Sequence, residues 1–132
     1  MKKLFSISCF PLFLFISNLA SAQQWIDEQK EVLKTVQNYV DLYASNNLAE
    51  VYNFVDNSYW GWSYNGRGAL YIITPLKVWV SGDSAYVHYT FEGIYEMNDG
   101  KIIRDDGQRT HILMKKDGKW LFVGDHGGST KK

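Results

Sequence analysis

GQRTHILMKKDGKWLFVGDHGGS, residues 107–129, holds two runs of period-two alternation on either side of Asp117-Gly118. A polar residue followed by glycine between two β-prone runs is the strongest short-range hairpin signal. The reading is a strand over 108–116, a tight turn, and a strand over 119–126. With a two-residue turn, Lys115 opposes Trp120, Leu113 opposes Phe122, His111 opposes Gly124 and Arg109 opposes His126. One face then carries Arg109, His111, Leu113, Trp120, Phe122 and His126. The other carries Thr110, Ile112, Met114, Leu121 and Val123. A slip of one residue would exchange the faces, because side chains alternate along a strand.

The same construction applies upstream, around Gly82-Asp83. There Val80 faces Ala85, Val78 faces Val87, Trp79 faces Tyr86 and Lys77 faces His88. Val78, Val80, Ala85, Val87, Tyr89 and Phe91 share one face. Trp79, Tyr86, His88, Thr90 and Glu92 share the other. Both faces hold apolar material, so neither is simply wet. The second could pack a partner subunit, with Trp79, Tyr86 and His88 as interface residues. The strand from Ser84 continues to Met97, and Asn98-Asp99-Gly100 marks a reversal. Residues 69–81 form one bent strand or two, since Pro75 argues against an uninterrupted central strand. Residues 59–64 read as a first strand, and Asp105-Asp106-Gly107 as a loop or a bulge.

Before the strands the period changes to that of a helix. Val32, Val36, Val40 and Tyr43 recur at spacings of three and four within 28–44, and Asp27 is a plausible cap. Asn47 with Glu50 has the pattern of a capping box. Leu48, Val51, Tyr52 and Val55 give a second, short helix an apolar side. Helices followed by a run of strands predict an α+β fold, with the N-terminal helices packed on a strongly curved antiparallel sheet.

The N-terminus stands apart. MKK leads an apolar run from Leu4 to Ile16, and Ala20-Ser21-Ala22 has the A-x-A form of a cleavage site. Residues 1–22 are read as a signal peptide, leaving 23–132 as a single exported domain, periplasmic or secreted. The only cysteine, Cys9, would leave with the signal. No stable membrane span is expected after its removal. The chain carries 14 basic and 14 acidic residues without a basic stripe, so nucleic acid is not an expected partner.

Three stretches resemble a known family: VQNYVDLYASNNLAEVYNFVDNSYWGW (36–62), VWVSGDSAYVHY (78–89) and the closing hairpin. They resemble the cone fold of nuclear transport factor 2, ketosteroid isomerase, scytalone dehydratase and the SnoaL-like polyketide cyclases, with small SnoaL-like domains nearest. The resemblance implies a cystatin-like cone whose open end is an apolar pocket. It puts Trp60 and Trp62 near that pocket and turns His111, His126 and Arg109 toward it. It does not supply the isomerase's carboxylate set. Asp125 beside His126 does not supply the dehydratase's histidine–aspartate pair, because neighbours on a strand point to opposite faces. The chain is also short between Asn65 and Leu76, where many relatives carry a further helix.

The candidate site residues each have two readings. Trp60, Trp62 and Tyr64 are a ligand wall or core. His111 and His126 are acid–base groups or structural histidines. Arg109 clamps a ligand carboxylate or pairs with a local acid. Glu92 is a buried acid or sits at the rim. No metal site and no cofactor is expected, because the three histidines do not have ligand spacing. The favoured function is an exported, homodimeric protein whose aromatic-lined pocket binds a small apolar or aromatic molecule. The alternatives are a lyase or isomerase working by proton transfer in the same pocket, and a structural or interaction module with a self-filled cone.

Overall fold

The computed structural model describes residues 23–61 and 66–130, with the backbone alone for 66–70. Trp62, Tyr64 and residues 1–22, the expected signal peptide, lie outside the described residues. Helix α1, Asp27–Ala44, buries Val32, Val36 and Val40, the stripe that the spacing predicts. Its N-cap is Ile26 rather than Asp27. The Ile26 N–H donates to the Gln29 side-chain Oε1 (3.1 Å), and the Gln29 Nε2 donates to the Val78 backbone carbonyl (2.8 Å). One side chain thus caps the helix and ties it to the sheet. Asp27 stands in the first turn, where its charge suits the helix dipole.

The second helix is shorter than the pattern suggests. Helix α2 is one turn, Leu48–Val51, followed by a 3-10 turn at Tyr52–Phe54. The Asn47 side chain makes no cap bond and donates instead to the Glu50 carboxylate (2.9 Å). Val55 already belongs to the sheet.

Five strands follow: β1 Val55–Trp60, β2 Gly66–Ser81, β3 Ser84–Met97, β4 Ile102–Lys116 and β5 Lys119–Ser129. Their order in the sheet is β1-β5-β4-β3-β2. All pairs are antiparallel except β1 with β5, which is parallel. Period-two alternation carries no direction, so the sequence could not assign this edge. Pro75 is accommodated because β2 is the other edge, and the ladder shifts by one residue between Pro75 and Lys77. Asp105-Asp106-Gly107 is neither loop nor bulge. It is regular strand, opposite Gly93, Glu92 and Phe91. Gly107 is required there because a Cβ would collide with the Gly128 carbonyl.

The β2–β3 register is the predicted one, from Lys77↔His88 to Val80↔Ala85. The β4–β5 hairpin turns at Asp117 (φ 50°) and Gly118 (φ 75°), the two left-handed residues of a type I′ turn. Its first rungs also match, with Lys115↔Trp120 and Leu113↔Phe122. Beyond them β5 carries an extra residue. Ile112 pairs with Gly124, His111 with Asp125, Thr110 with His126 and Arg109 with Gly127. This bulge at Val123 inverts every later side chain of β5. It corrects the predicted faces: Asp125 points in and His126 points out.

The core lies between α1 and the concave face of the sheet. Val32, Val36 and Val40 pack on Val78, Val87, Tyr89, Phe91, Leu113, Trp120 and Phe122, all nearly inaccessible to water. β3 shows the cause most clearly, since Ala85, Val87, Tyr89, Phe91 and Tyr95 are buried on alternate positions. Among the described residues no helix is long and apolar enough to cross a membrane.

Candidate functional site

A cavity of about 250 Å³ opens between the helices and the concave sheet. Helix α1 contributes Tyr39, Val40 and Tyr43. Leu48, Val51 and Tyr52 come from the short helical segment, Val55 and Tyr59 from β1, and Tyr71 from β2. Tyr89 and Tyr95 of β3 and Arg109 and His111 of β4 complete the lining. Seven tyrosines therefore surround one space. Each offers an apolar ring with a polar tip, which lets a wall stay apolar yet hydrogen-bond at chosen points.

The base of the cavity is charged but compensated. Arg109 Nη1 lies 3.3 Å from Asp125 Oδ2, with side chains 13% and 1% exposed. The Arg109 guanidinium carbon also stands 5.6 Å from the centre of the Phe91 ring. The Tyr59 hydroxyl hydrogen-bonds to Asp125. Gly61 allows this approach, because a Cβ there would collide with both the Asp125 carboxylate and the Tyr59 hydroxyl.

His111 is buried beside this pair. Its Nε2 lies 3.9 Å from Asp125 Oδ2 and 3.4 Å from the Tyr89 hydroxyl. Edge-on rings of Tyr39, Tyr89 and Phe122 enclose it at 5.6, 5.6 and 4.6 Å. Its Nδ1 is buried without a hydrogen-bond partner. Burial, and then the Arg109 charge, push the imidazole pKa down to about 3. Burial pushes the Tyr39 hydroxyl up to about 12 and raises Tyr59 and Tyr89 above the ordinary tyrosine value. At neutral pH the Tyr39, Tyr59 and Tyr89 hydroxyls and the His111 imidazole are thus neutral. An imidazole so weakened is a poor proton acceptor.

The depressed imidazole has a stability consequence. The unfolded chain protonates His111 near pH 6.5, and the folded chain only near 3. Between those values the unfolded state binds the additional proton. The contribution is fully present above 6.5 and is lost as pH falls toward 3. The expected loss from this residue is about 2 kcal/mol on going from neutral pH to about pH 5. Urea unfolding of the native chain and of His111→Leu at both values checks this. The variant should lose less on acidification by that amount, and equal slopes would refute it.

The other predicted residues fall in different places. His126 is exposed and stands on the outer face, across from Thr110, removed from the cavity by the bulge. Trp60 is 81% exposed, and its neighbour Tyr59 lines the cavity instead, together with Val55 of the same strand; the β1 register is irregular between Val55 and Trp60. Trp62 and Tyr64 lie outside the described residues. Arg109 lines the cavity but holds Asp125, the local acid of its second reading. Glu92 is exposed on the outer face between Ile72 and Asp106. Trp79 and Tyr86 stack on that same face with centres 5.6 Å apart, and His88 Nδ1 is 2.8 Å from Thr110 Oγ1. Sequence reasoning missed Asp125 and most of the tyrosines. Tyr39 and Tyr43, four apart on α1, and Tyr89 and Tyr95, an even number apart on β3, were the available signals.

No protein-family model and no curated protein matches the sequence. Solved structures do. The association domain of Caenorhabditis elegans CaMKII superposes with a TM-score of 0.60 at 17% identity, covering 76% of this chain and 95% of its own. An NTF2-like protein with a cystatin-like fold from Novosphingobium aromaticivorans gives 0.60 at 11% identity, covering 78% and 82%. An NTF2-like protein of unknown function from Prochlorococcus gives 0.65 at 14% identity, covering 81% and 96%. The chain has the nuclear transport factor 2-like cone fold.

Proposed function

We propose that this nuclear transport factor 2-like cone is a small-molecule binding domain whose tyrosine-lined cavity takes a flat apolar or aromatic ligand. The observation that carries this reading is the cavity itself. A space of about 250 Å³ is large enough for a bicyclic aromatic, and it is walled by rings whose hydroxyls converge on it. The weakly basic His111 favours binding over the lyase or isomerase alternative. The open cavity speaks against a self-filled cone.

Titration with 1-naphthol, followed by intrinsic fluorescence, tests it. Val51 borders the cavity from the short helix, so Val51→Trp should fill the space and weaken binding at least about tenfold, with an unchanged far-ultraviolet spectrum. Equal binding by the plugged variant would refute the site.

The outer sheet face supports a second reading, as the contact between two copies. The stacked Trp79 and Tyr86 lie beside Ile112 and Met114, which are 48% and 40% exposed. A contiguous apolar sheet face is a common partner site, and one structural neighbour is the association domain of C. elegans CaMKII. Sedimentation should give a dimer that Trp79→Glu converts to monomer. A native chain that sediments as a monomer overturns the reading. The leader pattern supports export, with Gln23 as the mature N-terminus. A secreted or periplasmic fraction lacking that terminus overturns this part.

A further inference from the structure

Arg109 and Asp125 form a pair with unequal access to the cavity. Arg109 lines the cavity, and its side chain keeps some exposure. Asp125 sits behind it, 1% exposed and outside the lining, held by Arg109 on one side and by the Tyr59 hydroxyl on the other. It owes that place to the bulge at Val123 and to the bare Cα of Gly61. The other candidate cation of the described lining, His111, is neutral at physiological pH. Arg109 is thus the one cationic group the described cavity offers a ligand, and its charge is already met.

We propose that Asp125 sets the charge selectivity of the cavity: by satisfying Arg109 from behind, it makes the site a receptor for uncharged phenol-like aromatics and turns away their carboxylate counterparts. A carboxylate entering the cavity would give up its hydration. It would have to share Arg109 with an anion that is already in place, and it would face that anion's repulsion across the guanidinium. A neutral hydroxyl gives up far less and finds the tyrosine hydroxyls as partners. Discrimination of this kind comes from a repulsive element built against the wrong ligand as much as from contacts to the right one. The inference rests on the binding role proposed for the cavity and names its ligand class.

The test compares 1-naphthol with 1-naphthoate near neutral pH, where the first is uncharged and the second ionised. The native chain should bind naphthol at least about tenfold more tightly. Asp125→Asn frees the Arg109 charge while keeping an acceptor for Tyr59. Naphthoate affinity should then rise by about tenfold or more, the range of a charge-assisted hydrogen bond. Naphthoate, and not naphthol, should raise the melting temperature of this variant the more. The double variant Arg109→Met/Asp125→Asn removes both charges. It should lose the gain for naphthoate. If Asp125→Asn does not fold, the native chain's preference and the double variant remain decisive. Native binding of both probes with equal affinity would overturn the selectivity while leaving the binding reading intact. A gain for naphthoate that persists without Arg109 would also overturn it. Failure of both probes on every folded form would overturn the binding reading and the selectivity with it.

Discussion

Asp125→Ala is expected to lower the unfolding free energy by about 3–5 kcal/mol, the cost of leaving a buried charge without its partner. The reason is geometric. Arg109 is 13% exposed, and its guanidinium is held over the Phe91 ring rather than in water. With the carboxylate gone, the guanidinium keeps its charge in a poorly solvated place. The Tyr59 hydroxyl loses its acceptor at the same time. The pair itself is not the source of the cone's stability. Arg109→Met/Asp125→Ala should recover part of the loss, because removing both charges removes the desolvation penalty along with the attraction. The contrast with the surface is sharp. Lys115 and Glu31 also meet, at 3.2 Å, but with side chains 27% and 49% exposed, and breaking such a pair costs little. Urea unfolding of the two single variants and the double variant gives the coupling directly. A loss below about 1 kcal/mol for Asp125→Ala would show that water reaches Arg109 freely. It would also remove the ground for assigning Asp125 a role in charge selection.

That Asp125 escaped the sequence reading follows from how strands encode faces. Wherever the alternation was uninterrupted, it gave the right partners: Val78 with Val87, Trp79 with Tyr86, Leu113 with Phe122. The α1 stripe was equally legible, because three valines at i, i+4 and i+8 can only face one way. One inserted residue at Val123 then reversed the meaning of everything after it, exchanging His126 for Asp125. Val123 has no special chemistry. The nearby glycines at 124, 127 and 128 were the only hint of an irregular strand. Trp60 is a different case, because the family resemblance, not the strand phase, implies its place near the pocket. The structure sends Trp60 outward and Tyr59 in. The cone was legible because it rests on long stretches of pattern. The site was less so, because it rests on one local shift of phase in β5 and on an irregular β1.

Phe122→Ala is expected to cost about 3–5 kcal/mol, the range for emptying a buried aromatic position. The residue is 1% exposed and stands at the rung where β5 pairs with Leu113 on one side and Val55 on the other. Its ring meets Tyr39 of α1 and His111 of β4, both at 4.6 Å between centres. The deleted volume therefore lies where helix and sheet share one cluster, and neither backbone can collapse to fill it. Ile102→Ala supplies the comparison: that side chain is 59% exposed, and its loss should cost less than about 0.5 kcal/mol. The same substitution should reach the cavity without touching it. Tyr39 and His111 line the space and lean on Phe122, so their rings lose the support that fixes their positions. Naphthol affinity should then fall in Phe122→Ala even under conditions where the variant is fully folded, and should stay unchanged in Ile102→Ala. A folded Phe122→Ala chain with native affinity would mean that the cavity wall is held by the tyrosine hydroxyls and their partners rather than by packing from beneath. The opposite result would place the rigidity of the site in the core, one layer below the residues that meet the ligand.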